Sequence, residues 1–357
     1  MVRFTKGDLL KADVDALVNT VNTKGVMGKG VALQFRNAFP ANYEAYRRAC
    51  KQGEVRLGRV FVFDNGQLAR PYYIVNFPTK DHWRSKSRLN DIVTGLEDLV
   101  RVIQDLAIKS VALPPLGCGN GGLAWRDVGP LIQGSLAGLR DVDVLVFSPG
   151  GAPNPLAMPV RTPKPSMTPG RAALIGLLHR YAEPTVGTTP LEIQKLMYLL
   201  QLAGEPLRLK FAKGHYGPYA ESVNHVLQAV EGHYLRGYGD RTQRVAEATP
   251  VQVMDGAPAM AVAYLRDRPA TNERIERVVQ LIEGFESPYG LELLTTVHYV
   301  ASVIDPRAID DPLRVLPVVS EWNRRKGRLF TPRHVEVAWR RLKDLGWLGK
   351  ASLVQAT

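Results

Sequence analysis

Asp15-Ala-Leu-Val-Asn-Thr-Val-Asn22 runs directly into Thr23-Lys-Gly25-Val-Met-Gly28-Lys29-Gly30-Val-Ala32. The first half is a short apolar, β-branched run and reads as a strand. The second half places three glycines within six residues. It feeds a helix starting near Lys29 that carries Val31, Phe35 and Phe39 inward. A strand that turns through glycines into a helix is a ligand-binding corner of α/β folds, because backbone amides there approach an anion at a helix N-terminus. The spacing fits neither GxxxxGK[ST] nor GxGxxG, which argues against a Walker loop and a dinucleotide fingerprint. On its own the segment is compatible with a phosphate cradle and with a plain glycine turn. Asn22, just before the glycines, is placed to aim a carboxamide at a ribose hydroxyl.

Three further loops extend this pattern. Lys6-Gly7-Asp8-Leu9-Leu10 is a turn with one acid, suited to accept from an exocyclic amine such as that of adenine and equally suited to cap local amides. Leu113-Pro-Pro-Leu116-Gly117-Cys118-Gly119-Asn120-Gly121-Gly122-Leu123 has four glycines in six residues after an apolar strand. So much backbone entropy is expected where chain must pass close to a ligand, and a diphosphate pocket is the reading. Cys118 reads as a small residue in that loop, with no histidine near it in sequence to activate a thiolate. Asn76-Phe77-Pro78-Thr79-Lys80-Asp81-His82-Trp83-Arg84-Ser85-Lys86-Ser87-Arg88 ends a strand at Pro78 and continues as a cationic, aromatic loop. Lys80 stands at its start. Trp83, Arg84, Lys86 and Arg88 suit a stacked base and a nucleic-acid backbone, or a solvated basic loop.

Strand-like runs at Asp15–Asn22, Tyr72–Phe77, Ser110–Pro115 and Val142–Phe147 flank a helical pattern from about Asn90 to Ala107. This alternation predicts a three-layer α/β/α domain with a parallel or mixed sheet over residues 1–150. Seven prolines between Pro149 and Pro169 mark a semi-stiff linker over 151–170. Residues 171–357 read as mainly α. Thr189-Pro190-Leu191-Glu192 is a capping box that opens a helix through Leu202. Further helical patterns lie near 171–182, 218–235, 272–286, 290–304 and 332–345.

The 357 residues fit two domains at about 150 each. The apolar share of 45% and charged share of 22% exclude wholesale disorder. A net charge of +12 favours an anionic partner. Residues 1–156 carry 20 basic and 14 acidic side chains and residues 157–357 carry 26 and 20, so both halves are basic and a basic tail on an acidic body is excluded. Two cysteines cannot build a disulfide framework or a cysteine-rich zinc site. No His or acid pair has convincing ligand spacing, so no metal or cofactor is expected. With no 18-residue apolar run and no signal-peptide pattern, the expectation is a soluble cytoplasmic protein without a membrane partner.

Together, Lys-Gly-Asp-Leu, the Asn-rich strand with its glycine loop, the late Gly-Cys-Gly loop and the terminal Val-Phe-Ser-Pro strand resemble a macrodomain. Asn76-Phe-Pro-Thr-Lys-Asp-His-Trp-Arg84 is similar to the branch holding terminal ADP-ribose glycohydrolases and DarG-type DNA ADP-ribosyl glycohydrolases, antitoxins against DarT-type DNA-ADP-ribosylating toxins. The resemblance implies hydrolysis of ADP-ribose from a base, thymidine, in single-stranded DNA. It implies ADP-ribose contacts at Asp8, Leu9, Thr20, Asn22, Met27, Gly28, Lys29, Gly30, Leu116, Gly117, Cys118, Gly119, Asn120 and Gly121. Lys80 and Asn22 would be catalytic, and Lys80, Trp83 and Arg84 would meet DNA. The chain departs from its eukaryotic relatives in having Asn120 and Gly121 where an acid follows Gly-Cys-Gly, which puts a Lys-plus-Asp mechanism in doubt and leaves Asn22, a water or the substrate itself as the partner of Lys80. For a lysine nucleophile the amine must be partly neutral, through desolvation against Phe77 and Trp83 or through the nearby cations Arg84 and Lys86, with Asp81 opposing if it faces Lys80.

In the second half, Lys210-Phe-Ala-Lys-Gly-His215-Tyr-Gly217-Pro218-Tyr219 resembles the Gly-Pro element of SocA-like (Panacea-type) antitoxin domains. The Thr331-Pro332 helix ending at Leu345-Gly-Trp-Leu348 resembles a winged-helix tail. This implies a domain that binds the cognate DarT-type toxin. A helical domain that only stabilises a dimer or the macrodomain is the bland alternative, and Arg324-Arg-Lys-Gly-Arg328 leaves direct DNA binding open, although such a run usually forms a solvated loop. Two other functions stay open as well: a macrodomain that reads ADP-ribose without hydrolysing it, and a purely steric antitoxin.

Overall fold

The computed structural model describes residues 1–150, 153–182 and 187–349. The chain divides into two compact units, Met1–Pro163 with Gly239–Gln243, and Lys164–Tyr238 with Arg244 onward. Gly151 and Ala152 of the Pro-rich stretch, and residues 350–357 of the expected C-terminal domain, lie outside the described residues.

The first unit is built on a six-stranded sheet. Its strands are β1 (Val2–Thr5), β2 (Ala16–Asn22), β3 (Phe61–Asp64), β4 (Tyr73–Lys80), β5 (Ser110–Leu113) and β6 (Asp143–Phe147), in the order β1-β6-β5-β2-β4-β3. All neighbours pair parallel except β3 with β4, so the sheet is mixed. The side-chain period of two splits β2 between faces. Ala16 and Val18 join Val75, Phe77, Val111, Leu113, Val144 and Val146 under α3 (Leu89–Asp105) and α4 (Trp125–Leu136). Leu17, with Ile74 and Ala112, faces Phe35 and Phe39 from α1 (Gly30–Ala38) and the turn into α2 (Pro40–Lys51). The three-layer expectation therefore holds, with Phe35 and Phe39 buried as the helical spacing predicted.

Two differences bear on the site. The strand expected to end at Pro78 continues to Lys80, paired with β2 alone beyond Asn76, where β3 stops. A proline lacks an N–H for a second neighbour, so it is tolerated there. A register shift between Val21 and Asn22 then sets Asn22 opposite Lys80. The Pro-rich stretch is also anchored on the first unit as far as Pro163. Met158 is buried, and the Arg161 N–H donates to the Asn37 carbonyl at 2.7 Å.

The second unit is mainly helical. Its helices are α5 (Pro169–Ala182), α6 (Pro190–Leu202), α7 (Glu221–Val230), α8 (Ala257–Leu265), α9 (Pro269–Ile282), α10 (Pro288–Tyr299), α11 (Val315–Trp322), α12 (Arg324–Leu329) and α13 (Pro332–Asp344). The hairpins Ala212–Gly214 with Gly217–Tyr219 and Leu235–Arg236 with Gln252–Val253 are its short strands. The capping box at α6 forms as expected: Thr189 Oγ1 accepts from the Glu192 N–H, and the Glu192 carboxylate accepts from the Thr189 N–H. The basic run Arg324–Arg328 is not a solvated loop. It forms α12, where Lys326 is fully buried and, with Arg325, bonds the buried carboxylate of Glu292. Among the described residues no helix is long and apolar enough to cross a membrane.

Candidate functional site

The loops singled out from sequence gather at the carboxyl ends of the parallel strands, where helix N-termini and strand ends leave backbone donors open. Asp8 caps a single 3-10 turn, with Oδ1 accepting from the Leu10 N–H at 3.0 Å, and Leu9 is buried beside it.

The glycine loop after β2 is held from beneath. Asn22 turns its carboxamide into the loop: Oδ1 accepts from the N–H groups of Lys24 (2.9 Å) and Val26 (3.4 Å), and Nδ2 donates to the Val26 carbonyl at 2.6 Å. The buried Tyr46 hydroxyl donates to the Asn22 carbonyl at 2.5 Å. Asn22 thus shapes the loop with the group expected to reach a ribose. Met27 is buried against Asn19, whose Nδ2 donates to Asn76 Oδ1 at 3.0 Å. α1 then starts at Gly30 with φ +63°, and Lys29 at its N-cap supplies no side-chain capping bond. The first-turn amides have no acceptor of their own within the helix, so this end suits an anion.

The late glycine loop packs so tightly that glycine is compulsory at two positions. A Cβ on Gly117 would lie 2.8 Å from Leu123 Cδ1, and one on Gly121 would lie 2.3 Å from Ser87 Oγ and 2.4 Å from the Gly117 carbonyl oxygen. Ser87 adds a backbone bond, its N–H donating to the Gly121 carbonyl at 2.9 Å. Its own buried hydroxyl has no partner. Burial, assisted by Asp127, pushes the Cys118 thiol up to about 11, so it stays protonated at neutral pH. Leu116 is fully buried below the loop, whereas Gly119 and Asn120 are exposed on it.

Lys80 joins the two sides. From the last position of β4 its Nζ donates to the Asn120 carbonyl at 2.9 Å and to the Trp83 carbonyl at 3.2 Å. Partial burial lowers its pKa from the ordinary lysine value, and desolvation is the cause. Asp81 faces away from it: its carboxylate accepts from the Thr23 hydroxyl and pairs with Lys24 Nζ at 3.1 Å. Trp83 is 45% exposed and stacks on His82 with ring centroids 3.7 Å apart. Arg84 lies exposed next to it. A Cβ on Gly30 would sit 3.3 Å from Asn120 Nδ2, so the early and late glycine loops meet beside the residue that accepts from Lys80.

Ser87 and Tyr46 were missed from sequence. Neither carries a local signal: one lies in a basic loop and the other within a polar helix, and only packing brings them to the glycine loops. Among the described residues no group of three His, Cys, Asp or Glu side chains could hold a metal ion.

The Macro domain family model matches residues 18–132. A DNA ADP-ribosyl glycohydrolase from Thermus aquaticus is 49% identical over 341 residues, spanning 95% of this chain and 92% of the relative. The DNA ADP-ribosyl transferase–DNA ADP-ribosyl glycohydrolase fusion protein of Thermosipho africanus is 35% identical over 161 residues, 41% of each chain. Among solved structures, the macrodomain of Thermus aquaticus DarG is 60% identical, covering 42% of this chain and 99% of that one, with a TM-score of 0.41. The macrodomain resemblance drawn from four short loops therefore holds, and near-half identity along almost the full length places this chain in the DNA ADP-ribosyl glycohydrolase family.

Proposed function

We propose that this hydrolase cleaves the N-glycosidic bond between ADP-ribose and a base of single-stranded DNA, thymidine, with Lys80 as the catalytic residue. The observation that carries the reading is the placement of Lys80: a desolvated amine at a strand end, tied by two carbonyls to the basic loop and the late glycine loop. In its neutral form the amine attacks the anomeric carbon of the distal ribose. The new C–N bond forms as the bond to the base breaks, and the proton shed by the amine passes to the base nitrogen. The ribose ring of this glycosylamine then opens, the anomeric C–O bond breaking and the remaining N–H proton passing to the ring oxygen as the C=N bond forms. Water adds to the imine carbon, the C–N bond breaks and the amine returns, releasing ADP-ribose.

In this reading Asp8 and Leu9 hold the adenine. Thr20, Met27, Gly28, Lys29 and Gly30 meet Leu116, Gly117, Cys118, Gly119, Asn120 and Gly121 around the diphosphate and distal ribose. Asn22 acts by shaping the first loop, since its carboxamide is spent there. Trp83 offers a stacking face and Arg84 a phosphate contact for the DNA strand. The second unit binds a DarT-type toxin. Support comes from the Thermosipho relative, whose name joins a DNA ADP-ribosyl transferase and a glycohydrolase in one chain.

The test is mass spectrometry of a single-stranded oligonucleotide bearing ADP-ribosylated thymidine. Wild type restores the unmodified strand, Lys80→Ala leaves the adduct intact while binding it, and Asn22→Ala is slow. An adduct that survives wild type while bound would make the domain a reader. Full protection of toxin-expressing cells by Lys80→Ala would make the antitoxin steric.

A further inference from the structure

The first unit contains five residues from late in the chain, Gly239–Gln243. They lie against the start of α1. The Asp240 carbonyl accepts from the Gly30 N–H at 2.9 Å. The Asp240 carboxylate is buried and fully engaged: Oδ2 accepts from Gln34 Nε2 at 2.6 Å, and Oδ1 accepts from the Thr242 N–H at 3.0 Å and its hydroxyl at 2.6 Å. Gln34 is buried as well. A Cβ on Gly30 would lie 3.5 Å from Thr242 Cγ2 and 3.3 Å from Asn120 Nδ2. Gly30 is thus wedged between the late glycine loop and this segment.

We infer that Asp240 is a positioning residue for ADP-ribose: its carbonyl holds the Gly30 amide and its carboxylate holds the Gln34 side chain, which braces the start of α1 at two points and so presets the glycine loop that receives the diphosphate. The inference rests on the ADP-ribose reading above and deepens it. Residues 25–30 include three glycines, which would otherwise have to be ordered when ligand arrives. A loop held in its bound shape beforehand avoids that cost, and the saving appears as affinity. Lys29 supplies no capping bond of its own, so the brace comes from outside the helix. The Gly30 N–H is already taken, leaving the following amides, at Val31 and Ala32, for the ligand.

The test uses the full chain and isothermal titration with ADP-ribose. Asp240→Ala removes the carboxylate that Gln34 and Thr242 share, and Gln34→Glu sets two carboxylates face to face. Each raises the Kd about tenfold. The double variant Gln34→Glu with Asp240→Asn reverses donor and acceptor, keeps the total charge, and returns the Kd to within about threefold of wild type. The loss falls on Kd and not on the single-turnover rate at saturating adduct, because Lys80 keeps both its carbonyl partners. A merely structural role would not produce rescue by the swapped pair together with this split. If Asp240→Ala fails to fold, Gln34→Glu and the double variant decide alone. Single variants that bind like wild type, or a double variant no better than the singles, overturn the inference. Tighter binding by the singles also overturns it, since the segment would then be a cover that ligand displaces. Wild type that does not bind ADP-ribose refutes the ADP-ribose reading itself, whereas wild-type binding with unmoved variants refutes only the brace.

Discussion

Replacing Gly121 with alanine tests whether the late glycine loop positions the chemistry. The added methyl would stand 2.4 Å from the Gly117 carbonyl oxygen and 2.3 Å from Ser87 Oγ, whereas ordinary contact begins at 3.4 Å. The Gly117 carbonyl is backbone, so no side-chain rotamer change relieves that contact. Opening the gap from 2.4 to 3.4 Å moves the loop by about 1 Å. The residue before it, Asn120, carries the carbonyl that holds Lys80 Nζ at 2.9 Å. A misplacement of about 1 Å near reacting atoms costs about a hundredfold in rate, or about 2.7 kcal/mol of barrier. Overpacking alone costs about 1–3 kcal/mol of stability. Single-turnover removal of ADP-ribose from a single-stranded oligonucleotide, with thermal unfolding in parallel, measures both. Gly119→Ala in the same loop meets nothing within 4 Å and serves as the stability control. A Gly121→Ala enzyme with wild-type rate and melting temperature would refute the reasoning, since the packing that forbids a Cβ would then not hold Asn120 in place.

Other expectations follow from the same geometry. Desolvation lowers the Lys80 pKa, and the proposed attack by the neutral amine then makes the single-turnover rate rise with pH through a midpoint below the ordinary lysine value of 10.5. Lys80→Arg, which cannot deprotonate, loses turnover across that range in a stopped assay but still retains ADP-ribose in a titration. Trp83→Ala weakens binding of a single-stranded oligonucleotide by about 1–3 kcal/mol in fluorescence anisotropy while leaving ADP-ribose affinity unchanged, because the indole is an exposed stacking face. In the second unit, Glu292→Ala strands the buried Lys326 and lowers stability by about 3–5 kcal/mol in urea titration. Burial lowers Lys195 to about 7 and Lys326 to about 8 from 10.5, so the unfolded chain binds more protons between those values. Wild-type stability in that unit therefore rises with pH from about 7 toward 9, read as a rising urea midpoint.

Strands with uniform burial were readable from composition, and strands at the sheet's margins were not. β2, β4, β5 and β6 occupy the interior of the sheet order and read as apolar runs. β1 and β3 are its two edges, with half-exposed faces and polar residues such as Arg3 and Asp64, so no pattern announced them. α2 was hidden for a related reason: its buried face consists of Asn42, Tyr46 and Ala49, which carry little hydrophobic signal. The basic run at α12 misled because charge normally marks solvent, whereas here a buried carboxylate from α10 compensates it.

The sequence by itself determined which chemistry the first unit could carry. Glycine spacing, a lone lysine after Asn-Phe-Pro-Thr and the acid at Asp8 are local chemical facts, and the loops that bear them follow strands or open helices within a few residues. Tertiary structure decided what those groups touch. Asn22 spends its carboxamide on its own loop, Asp81 turns to Lys24 instead of Lys80, and Ser87 packs where Gly121 needs room. Asp240, about 200 residues after Gly30, takes its amide. Hydrogen-bond partners and steric exclusions depend on distances between segments far apart in the chain, and no local pattern of residue types encodes them.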